Sequence, residues 1–458
     1  MNLNWWIKMR LKPYLEYKDS RIKWIGKIPE KWELHRLKFI LSSLESGSRE
    51  TGGGNQLDEG IFSLGGEHIN WDGTLNLENP KLISEEYYNS MNQGKIKLND
   101  VLLVKDGATI GKTAILIKKE FEKIAVNEHV FLMRSNKRID PKLLYYLICS
   151  DSGFKQIKLT EVGSAQGGIN QDFIAKVYFS IPKDKQDQTI IISFLDKKTA
   201  EIDELIEKDK KLIELLKEKR IALINHAVTK GLDMNVKLKD SGTPRIGKIP
   251  EGWEVRKIKN NSYVKGRIGW HGLTSEEYSD EGAYLVTGTD FKNGYIEWEN
   301  CYHVNWERYK EDPYIHLKKE DVLITKDGTI GKVAFIKELP DKATLNSGLF
   351  VVRPLNQKYK PKFMYWILNS LVFERFFDFV KQGATISHLF QETFERFFFP
   401  IPPLPEQTAI ANFLDNVSTK IDKTIQKIQK KIELLEEYKK SLIHHTVTGK
   451  IDVRGSEI

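Results

Sequence analysis

The sequence predicts an α+β protein built as a tandem duplication, in which a globular domain of mixed α/β type is followed by a long helix and the arrangement then repeats. Three observations lead to this prediction. Several motifs occur twice at an offset of about 220 residues, short β-branched segments alternate with helical ones early in each copy, and apolar residues recur every seven positions late in each copy. A unit this long that occurs only twice does not fit a solenoid, so we expect two similar domains with an approximate twofold relation.

The repeated motifs keep their order in both copies. The offset is 221 residues for the first motifs (246 − 25 and 326 − 105) and 219 residues for the last (407 − 188 and 442 − 223). The pairs are IGKIPEKW at 25–32 with IGKIPEGW at 246–253, KDG at 105–107 with KDG at 326–328, QTIIISFLD at 188–196 with QTAIANFLD at 407–415, and LINHAVT at 223–229 with LIHHTVT at 442–448. The duplication therefore covers nearly the whole chain.

The first part of each copy predicts a globular domain. VLLVKD and HVFLMR in the first copy, and VLITKD and LFVVRP in the second, have the β-branched composition of strands. PKLLYYLICS and PKFMYWILNS predict short helices that begin at a proline. We assign the globular domains to residues 1–185 and 233–404, and the helical segments to residues 186–232 and 405–458.

The last part of each copy predicts one strand of a coiled coil, because apolar residues follow a heptad pattern and charged residues occupy the other faces. The predicted core residues are Leu195, Ile202, Ile206, Ile213, Leu216 and Leu223 in the first helix and Leu414, Ile421, Ile425, Ile428, Ile432, Leu435 and Leu442 in the second. Asp209 interrupts the first series, either as a polar core residue that fixes the register or as an exposed one. About 40 helical residues would form a rod roughly 60 Å long. The alternative is two unrelated amphipathic surface helices.

The stretch KDGATIGKT at 105–113 looks at first like a nucleotide-binding P-loop, but its spacing excludes that site. A P-loop places four residues between its glycines and ends in Gly-Lys-Ser/Thr. Three residues separate Gly107 from Gly111, two separate Gly328 from Gly331, and Val333 replaces the hydroxyl in the second copy. The motif therefore predicts a glycine turn between two strands.

The lysines of this turn are candidates for phosphate contacts, which position a protein on nucleic acid without specifying a sequence. They are Lys105, Lys112, Lys326 and Lys332. Because the motif is shared by both copies, it should not itself distinguish bases. The alternative is a turn that is needed only for folding.

The composition favours an anionic partner. The formal net charge is +8, and a basic balance is typical of proteins that bind nucleic acid. Two cysteines, Cys149 and Cys301, lie far apart, which excludes a disulfide framework and a multi-cysteine zinc site and suits a reducing cytoplasm. No apolar run approaches the roughly 18 residues of a membrane span. We therefore expect a soluble intracellular protein without a membrane segment.

The chain lacks recognisable catalytic motifs. It has no Asn/Asp-Pro-Pro-aromatic methyltransferase motif, no Asp followed by Glu-x-Lys of a nuclease, no HExxH and no nucleophile elbow. His444 and His445 are adjacent near a helix end and point about 100° apart, so we interpret them as interface or surface residues. We expect no catalysis, no bound metal and no cofactor in this chain.

Glycine-rich loops hold the best candidates for contacts to DNA bases, because glycine lets the backbone approach closely and Arg, Asn and Gln match guanine and adenine edges. The alternative is ordinary surface loops. The candidates are Arg267, Trp270 and His271 in KGRIGWHG, Arg49, Asn55 and Gln56 in SGSRETGGGNQ, and, more weakly, Ser164 and Gln166 beside a glycine pair.

Together, the duplicated KDS…IGKIPE-W opening, the KDG-T-IGK turn, GATISHL at 383–389, IPPLPEQTAIANFLD at 401–415 and the helix ending in LIHHTVTG resemble the specificity subunit of type I restriction-modification systems. The resemblance extends over essentially all of the chain. The first copy departs from the pattern where IPKDKQDQT replaces IPPL-EQ and where GSAQGGIN replaces GATISHL.

This resemblance implies two target-recognition domains, each followed by a helix, with the helices forming an antiparallel coiled coil. It implies a bipartite double-stranded DNA target with an unspecified spacer. It also implies two modification subunits that carry S-adenosylmethionine and methylate adenine, restriction subunits that use ATP and Mg²⁺, and a location in the prokaryotic cytoplasm. Two alternatives remain: a coiled-coil scaffold that does not bind DNA, and a self-contained restriction or methylation enzyme whose catalytic residues are not recognised.

Overall fold

The computed structural model describes residues 12–50, 57–79, 81–118, 121–163, 167–267, 277–381 and 388–455. Its contacts divide the chain into two compact units. Unit 1 comprises Met1–Asp209 and Gln429–Ile458, and unit 2 comprises Lys210–Ile428. Each unit holds one globular domain of mixed strands and helices together with a segment of each long helix. The predicted α+β class and duplication are confirmed.

In the first copy, strands and short helices precede a helix of 46 residues. The elements are β1 Tyr17–Asp19, β2 Lys27–Pro29, β3 Trp32–Arg36, β4 Leu41–Ser46, β5 Ile61–Leu64, β6 Lys81–Ile83, α1 Glu85–Ser90, β7 Val101–Val104, β8 Thr113–Ile115, β9 Ile124–Val126, β10 Val130–Ser135, α2 Pro141–Cys149, α3 Asp151–Lys158, α4 Phe173–Lys176, β11 Tyr178–Pro182 and α5 Lys185–Lys230.

The second copy follows this order with an added short helix and an added two-stranded hairpin, and it ends in a helix of 44 residues. Its elements are β12 Leu238–Asp240, β13 Lys248–Pro250, β14 Glu254–Lys257, α6 Ile258–Asn261, β15 Ser262–Lys265, β16 Ala283–Val286, β17 Phe291–Lys292, β18 Tyr295–Ile296, β19 Tyr302–Val304, α7 Trp306–Glu311, β20 Val322–Thr325, β21 Val333–Phe335, β22 Ala343–Leu345, β23 Leu349–Pro354, α8 Pro361–Leu368, α9 Leu371–Lys381, α10 Gln391–Phe394, β24 Phe398–Ile401 and α11 Leu404–Val447.

The two globular domains share one sheet topology. A four-stranded antiparallel sheet has the order β4-β10-β7-β8 in the first copy and β15-β23-β20-β21 in the second. A second sheet contains one parallel pair, β5 with β9 and β16 with β22 respectively. The central strands β7 and β20 are buried along their whole length, which explains why VLLV and the first three residues of VLIT are apolar without a break.

A buried glutamine accounts for the repeated QT motif at the start of each long helix. Gln188 accepts a hydrogen bond from the backbone N–H of Asp140 at 3.0 Å and donates to the carbonyl of Pro182 at 2.9 Å. Gln407 makes the same contacts, with the N–H of Lys360 at 2.7 Å and a proline carbonyl at 2.8 Å. The motif therefore fixes each long helix to the start of a short helix, α2 or α8.

The repeated tryptophan motif packs against a helix end within each unit. Trp32 and Trp253 are each 1% exposed. Gly449, which follows α11 with a φ of +67°, leaves no room for a side chain, because an added Cβ would lie 2.5 Å from Pro29. Gly231, which follows α5 with a φ of +79°, lies in the same way against Trp253. Glycine at both helix ends satisfies the left-handed conformation and permits this close packing.

The long helices α5 and α11 run antiparallel. Within unit 1, the ammonium group of Lys439 lies 2.6 Å from Asp203, and that of Lys431 lies 2.8 Å from Asp209. Within unit 2, Arg220 lies 2.7 Å from Asp422. As the residue number on α5 rises, the residue number of its partner on α11 falls, as antiparallel pairing requires.

Most of the heptad residues are buried. Nine of the thirteen predicted core residues are buried and Leu216, Leu223, Ile432 and Leu435 are half-buried, so the predicted seam lies against other parts of the protein. Asp209 is 8% exposed and pairs with a lysine of α11, so it is a buried charged residue of the coiled coil and not an exposed one. None of the described helices combines the length and apolar character that crossing a membrane requires.

Candidate nucleic-acid interface

The KDG motif forms a tight turn between strands in both copies, as predicted. It joins β7 to β8 and β20 to β21. Gly107 and Gly111 have φ angles of +77° and +97°, and Gly328 and Gly331 have φ angles of +65° and +89°. These left-handed conformations favour glycine. An added Cβ at Gly107 or Gly328 would meet no atom within 4 Å, so the tip of each turn faces open space.

The first lysine of each motif packs on an aromatic ring. The Nζ atom of Lys105 lies 4.9 Å from the ring centroid of Phe131, and that of Lys326 lies 5.1 Å from that of Phe350. Lys326 is only 9% exposed, and burial lowers the pKa of its ammonium group. Both contacts are cation–π interactions, which give these lysines a packing role within the fold.

The second lysine of the motif is more accessible than the first in the second copy, whereas both lysines are half-buried in the first copy. Lys112 is half-buried, with its Nζ atom 6.0 Å from the ring centroid of Trp71. Lys332 is exposed. An exposed ammonium group beside an open glycine turn is the arrangement that a phosphate contact needs, so in the second copy Lys332 suits that role better than Lys326.

The aspartate of each motif pairs with a histidine. In the first copy, His129 Nδ1 lies 2.6 Å from Asp106 Oδ1. In the second copy, His388 Nδ1 contacts Asp327 Oδ1. All four side chains are partly exposed. Each turn therefore presents a carboxylate–imidazole pair next to its lysines.

The two histidines come from opposite sides of the turn. The first residue of the motif donates its backbone N–H to the carbonyl of His129 in one copy, at 3.0 Å, and of Gly348 in the other, at 2.8 Å. The motif aspartate forms an isolated β-bridge with Gly168 in one copy and with His388 in the other. Histidine and glycine have thus exchanged places between the two equivalent positions, and the pair is kept.

In the first copy, a series of polar side-chain contacts connects Arg49 to the turn. The Nε atom of Arg49 lies 2.9 Å from Glu128 Oε1, and the same carboxylate oxygen lies 3.4 Å from His129 Nε2. The side chain of Arg49 is 74% exposed. A polar cavity of about 230 Å³ opens beside this network. The structure therefore brings Arg49 together with the KDG turn, which the sequence did not link.

Arg267 does not lie on the surface of this structure, which gives no support to the prediction that it contacts a base. The residue is 2% exposed. Its Nε atom donates to the carbonyl of Leu345 at 3.0 Å, and its Nη2 atom donates to Thr344 Oγ1 at 3.3 Å. Both acceptors belong to β22, so Arg267 fixes an edge strand and has no exposed donor fork to offer a guanine.

The remaining predicted contacts lie outside the described residues. These are Asn55, Gln56, Ser164, Gln166, Trp270 and His271. The histidines and aromatic rings beside the KDG turns were missed at the sequence level. His388 belongs to the GATISHL motif and could have been found there. His129 gave no signal, because its equivalent is a glycine.

The geometry provides recognition groups and no catalytic arrangement among the described residues. Cationic, carboxylate and imidazole groups surround each glycine turn. Over the described ranges, no cluster of three or more His, Cys, Asp or Glu residues could hold a metal ion. Both cysteines are free thiols.

Comparison with known proteins gives two matches within this chain to one family model, described as type I restriction modification DNA specificity domain. The matches cover residues 29–215 and 250–434. Each begins at the last residue of an equivalent strand, β2 or β13, and ends within a long helix. The family model thus recognises both copies in the same register.

Named relatives agree with this match, one over nearly the whole chain and one over about half of it. The type I restriction enzyme MjaVIII specificity subunit of Methanocaldococcus jannaschii is 24% identical over 450 residues, covering 96% of this chain and 97% of that protein. The EcoKI specificity subunit of Escherichia coli is 23% identical over 210 residues, covering 45% of this chain and 44% of that protein.

Two solved structures show the same fold at 15% identity. A chain from a type I R-M system has a TM-score of 0.73 and covers 93% of this chain and 99% of its own length. The HsdS subunit from Thermoanaerobacter tengcongensis has a TM-score of 0.54, with coverages of 93% and 98%.

Proposed function

Because this chain belongs to the family of type I restriction-modification DNA specificity domains, we propose that it is the sequence-specific DNA-binding subunit of a type I restriction-modification complex. The observation that carries this proposal is the double match, which covers both copies at equivalent positions of a duplicated fold. The chain supplies recognition and no catalytic step of its own.

Each globular domain recognises one half of a bipartite target on double-stranded DNA. The KDG turns, shared by both copies, supply phosphate contacts through Lys112 and Lys332, since contacts of this kind carry no sequence information. The segments that differ between the copies supply base recognition. Arg49 is the described candidate for such a contact, because its side chain is exposed and held beside the turn by Glu128.

The coiled coil sets the spacing between the two half-sites. Each long helix is continuous, over Lys185–Lys230 and Leu404–Val447, and contributes residues to both compact units. A helix rises about 1.5 Å per residue, and equivalent groove surfaces on DNA recur about every 34 Å. A helix of about 40 residues, roughly 60 Å long, is therefore longer than one such repeat.

The chemistry of the complex belongs to partner subunits. Two modification subunits would dock on the two copies, since the copies present near-equal helix ends, LINH at 223–226 and LIHH at 442–445. These partners would bind S-adenosylmethionine and methylate adenine, and restriction subunits would use ATP and Mg²⁺. This role places the protein in the cytoplasm of a prokaryotic cell, where the chromosome lies.

Mapping N6-methyladenine across the genome tests the proposal. Cells that express the chain with its modification partner should show a split methylated motif, and that motif should disappear when the gene is deleted. A variant of the partner that cannot bind S-adenosylmethionine serves as the control for dependence on methylation. Methylation that is unchanged by the deletion would refute the proposed role.

Two in vitro measurements exclude the alternative functions. A scaffold that does not bind DNA would show no salt-dependent affinity, whereas phosphate contacts give a steep fall of log affinity with log salt. A self-contained enzyme would consume S-adenosylmethionine or cut DNA as the purified chain alone. The proposal predicts salt-dependent binding and neither reaction.

A further inference from the structure

A cavity of about 520 Å³ lies in unit 1 between α2, β8 and the start of α5. Its base contains Lys142, Tyr145 and Tyr146 from α2 and Asp196 from α5. Lys142 Nζ lies 2.5 Å from one carboxylate oxygen of Asp196, and the hydroxyl of Tyr146 donates to the other at 2.8 Å. A volume of this size falls within the range of small-ligand sites.

The second copy contains the same base. Lys362 is the equivalent of Lys142, and Trp366 is the equivalent of Tyr146. Both contact the carboxylate of Asp415: the ammonium group of Lys362 lies 3.4 Å from it, and the indole N–H of Trp366 donates a hydrogen bond to it at 3.0 Å. The tyrosine is shared as well, because a Cβ added at Gly73 would lie 2.0 Å from the hydroxyl of Tyr145, and one added at the equivalent Gly294 would lie 2.1 Å from that of Tyr365.

In the second copy, the rings of Tyr295 and Phe335 occupy the space above this base, next to the shared Tyr365. Lys362 Nζ lies 4.8 Å from the ring centroid of Tyr295, 4.4 Å from that of Phe335 and 4.6 Å from that of Tyr365. It also donates to the hydroxyl of Tyr295 at 3.1 Å. The ammonium group is thus surrounded by ring faces and satisfied by a phenol oxygen.

The first copy lacks both added rings. Strand pairing makes Ile115 the equivalent of Phe335, because these residues lie opposite Val101 and Val322 respectively. Thr74 is the equivalent of Tyr295, since each follows one of the two equivalent glycines.

Without these two rings, the lysine and the tyrosine of the base are more exposed in the first copy than in the second. The side chain of Lys142 is 35% exposed, against 18% for Lys362. Tyr145 is half-buried, whereas Tyr365 is 8% exposed.

We propose that this cavity of the first copy binds a phenolic ring, which takes the place that Tyr295 and Phe335 fill in the second copy. The ring packs on Lys142 and Tyr145, and its hydroxyl accepts a hydrogen bond from the Lys142 ammonium group. The phenol is either the side chain of a partner protein's tyrosine or a free small molecule. Binding to the purified chain does not depend on the proposed function.

The test is titration of the full chain with p-cresol by calorimetry or NMR. A dissociation constant on the order of 1 mM is expected for a ligand of this size. Cyclohexanol, which has a hydroxyl group but no aromatic ring, should bind at least about tenfold more weakly.

Two double variants locate the site. Thr74→Tyr with Ile115→Phe gives the first copy the rings of the second and should abolish binding. Tyr295→Thr with Phe335→Ile opens the second copy and should add a second equivalent of bound p-cresol. Circular dichroism verifies the fold of each variant. If the Tyr295→Thr, Phe335→Ile variant (the opening variant) does not fold, the Thr74→Tyr, Ile115→Phe variant (the filling variant) is a sufficient test of the site. The absence of p-cresol binding, or binding that survives the filling variant, would overturn the proposal.

A further comparison identifies the source of the ring, and this comparison alone rests on the proposed function. If the ring is a partner's tyrosine, the filling variant should weaken assembly with the modification subunit, as measured by native mass spectrometry. If assembly is unchanged while p-cresol binding is lost, the ligand is a free phenol. Either result supports the site.

Discussion

Replacing Arg267 by alanine distinguishes a structural arginine from one that contacts DNA. The substitution removes two hydrogen bonds from a charged donor to β22, at 3.0 and 3.3 Å. A hydrogen bond to a charged group contributes about 1.5–3 kcal/mol, and the longer of the two is weaker. We therefore expect β22 to lose about 2–3 kcal/mol of stability against local opening.

Hydrogen exchange of the backbone amides measures this loss. Local opening that is easier by this amount makes exchange in β22 roughly 30- to 150-fold faster, while amides of unit 1 should not change. The dependence of DNA affinity on salt should keep its slope, because a buried side chain does not neutralise a phosphate. Unchanged exchange in β22 combined with a shallower salt slope would refute the structural role.

Arg49→Ala is the matched control. Its side chain is exposed and forms one ion pair, with Glu128, and such pairs contribute about 0–1 kcal/mol. Exchange rates in unit 1 should therefore change little. If Arg49 contacts a phosphate, the salt slope should fall in magnitude by about 0.9. If it contacts a base, the preference for one half of the target should relax.

Three further predictions concern the packing. Ile202 is 4% exposed and Leu205 is 43% exposed. In urea unfolding, Ile202→Ala should lower the free energy of unfolding by about 2–4 kcal/mol and Leu205→Ala by at most about 0.5 kcal/mol. Equal losses for the two variants would contradict the assigned seam. Gly111→Ala should lower the free energy of unfolding by about 1–3 kcal/mol more than Gly331→Ala. Both glycines have a positive φ, so the backbone strain is similar. The added Cβ, however, lies 2.4 Å from a phenylalanine ring at Gly111 and 3.7 Å from one at Gly331. Burial lowers the pKa of His444, so the unfolded state binds the proton more readily and stability should fall as the pH drops below about 6.5; His444→Gln should reduce this loss in thermal melts, and an identical pH dependence would contradict it.

The duplication and the helical seam followed from the sequence because both depend on local or repeating patterns. The heptad residues lie where the period of 3.5 placed them. The pairing of Asp203 with Lys439 was not predictable, because an antiparallel register depends on how the whole fold brings two distant helices together. The heptad pattern left open whether Asp209 is buried, and the structure shows that it is 8% exposed and paired with Lys431.

The site was less accessible to sequence reasoning. Arg267 follows a glycine and precedes a glycine-rich stretch, which predicts an exposed loop, but the preceding strand β15 extends to Lys265 and the arginine side chain folds onto β22. His129 has a glycine as its equivalent, so comparing the copies gave no recurrence. Burial and side-chain direction, not composition, decide which cations are available to DNA.

Exchange of one recognition domain shows whether each domain recognises its own half-site. Residues 18–187 are replaced by the equivalent part of another specificity subunit, and the methylated motif is mapped across the genome of cells that express the hybrid with the same modification partner. We expect one half of the split motif to change while the other half stays the same. A motif that changes in both halves, or in neither, would contradict recognition of one half-site by each domain.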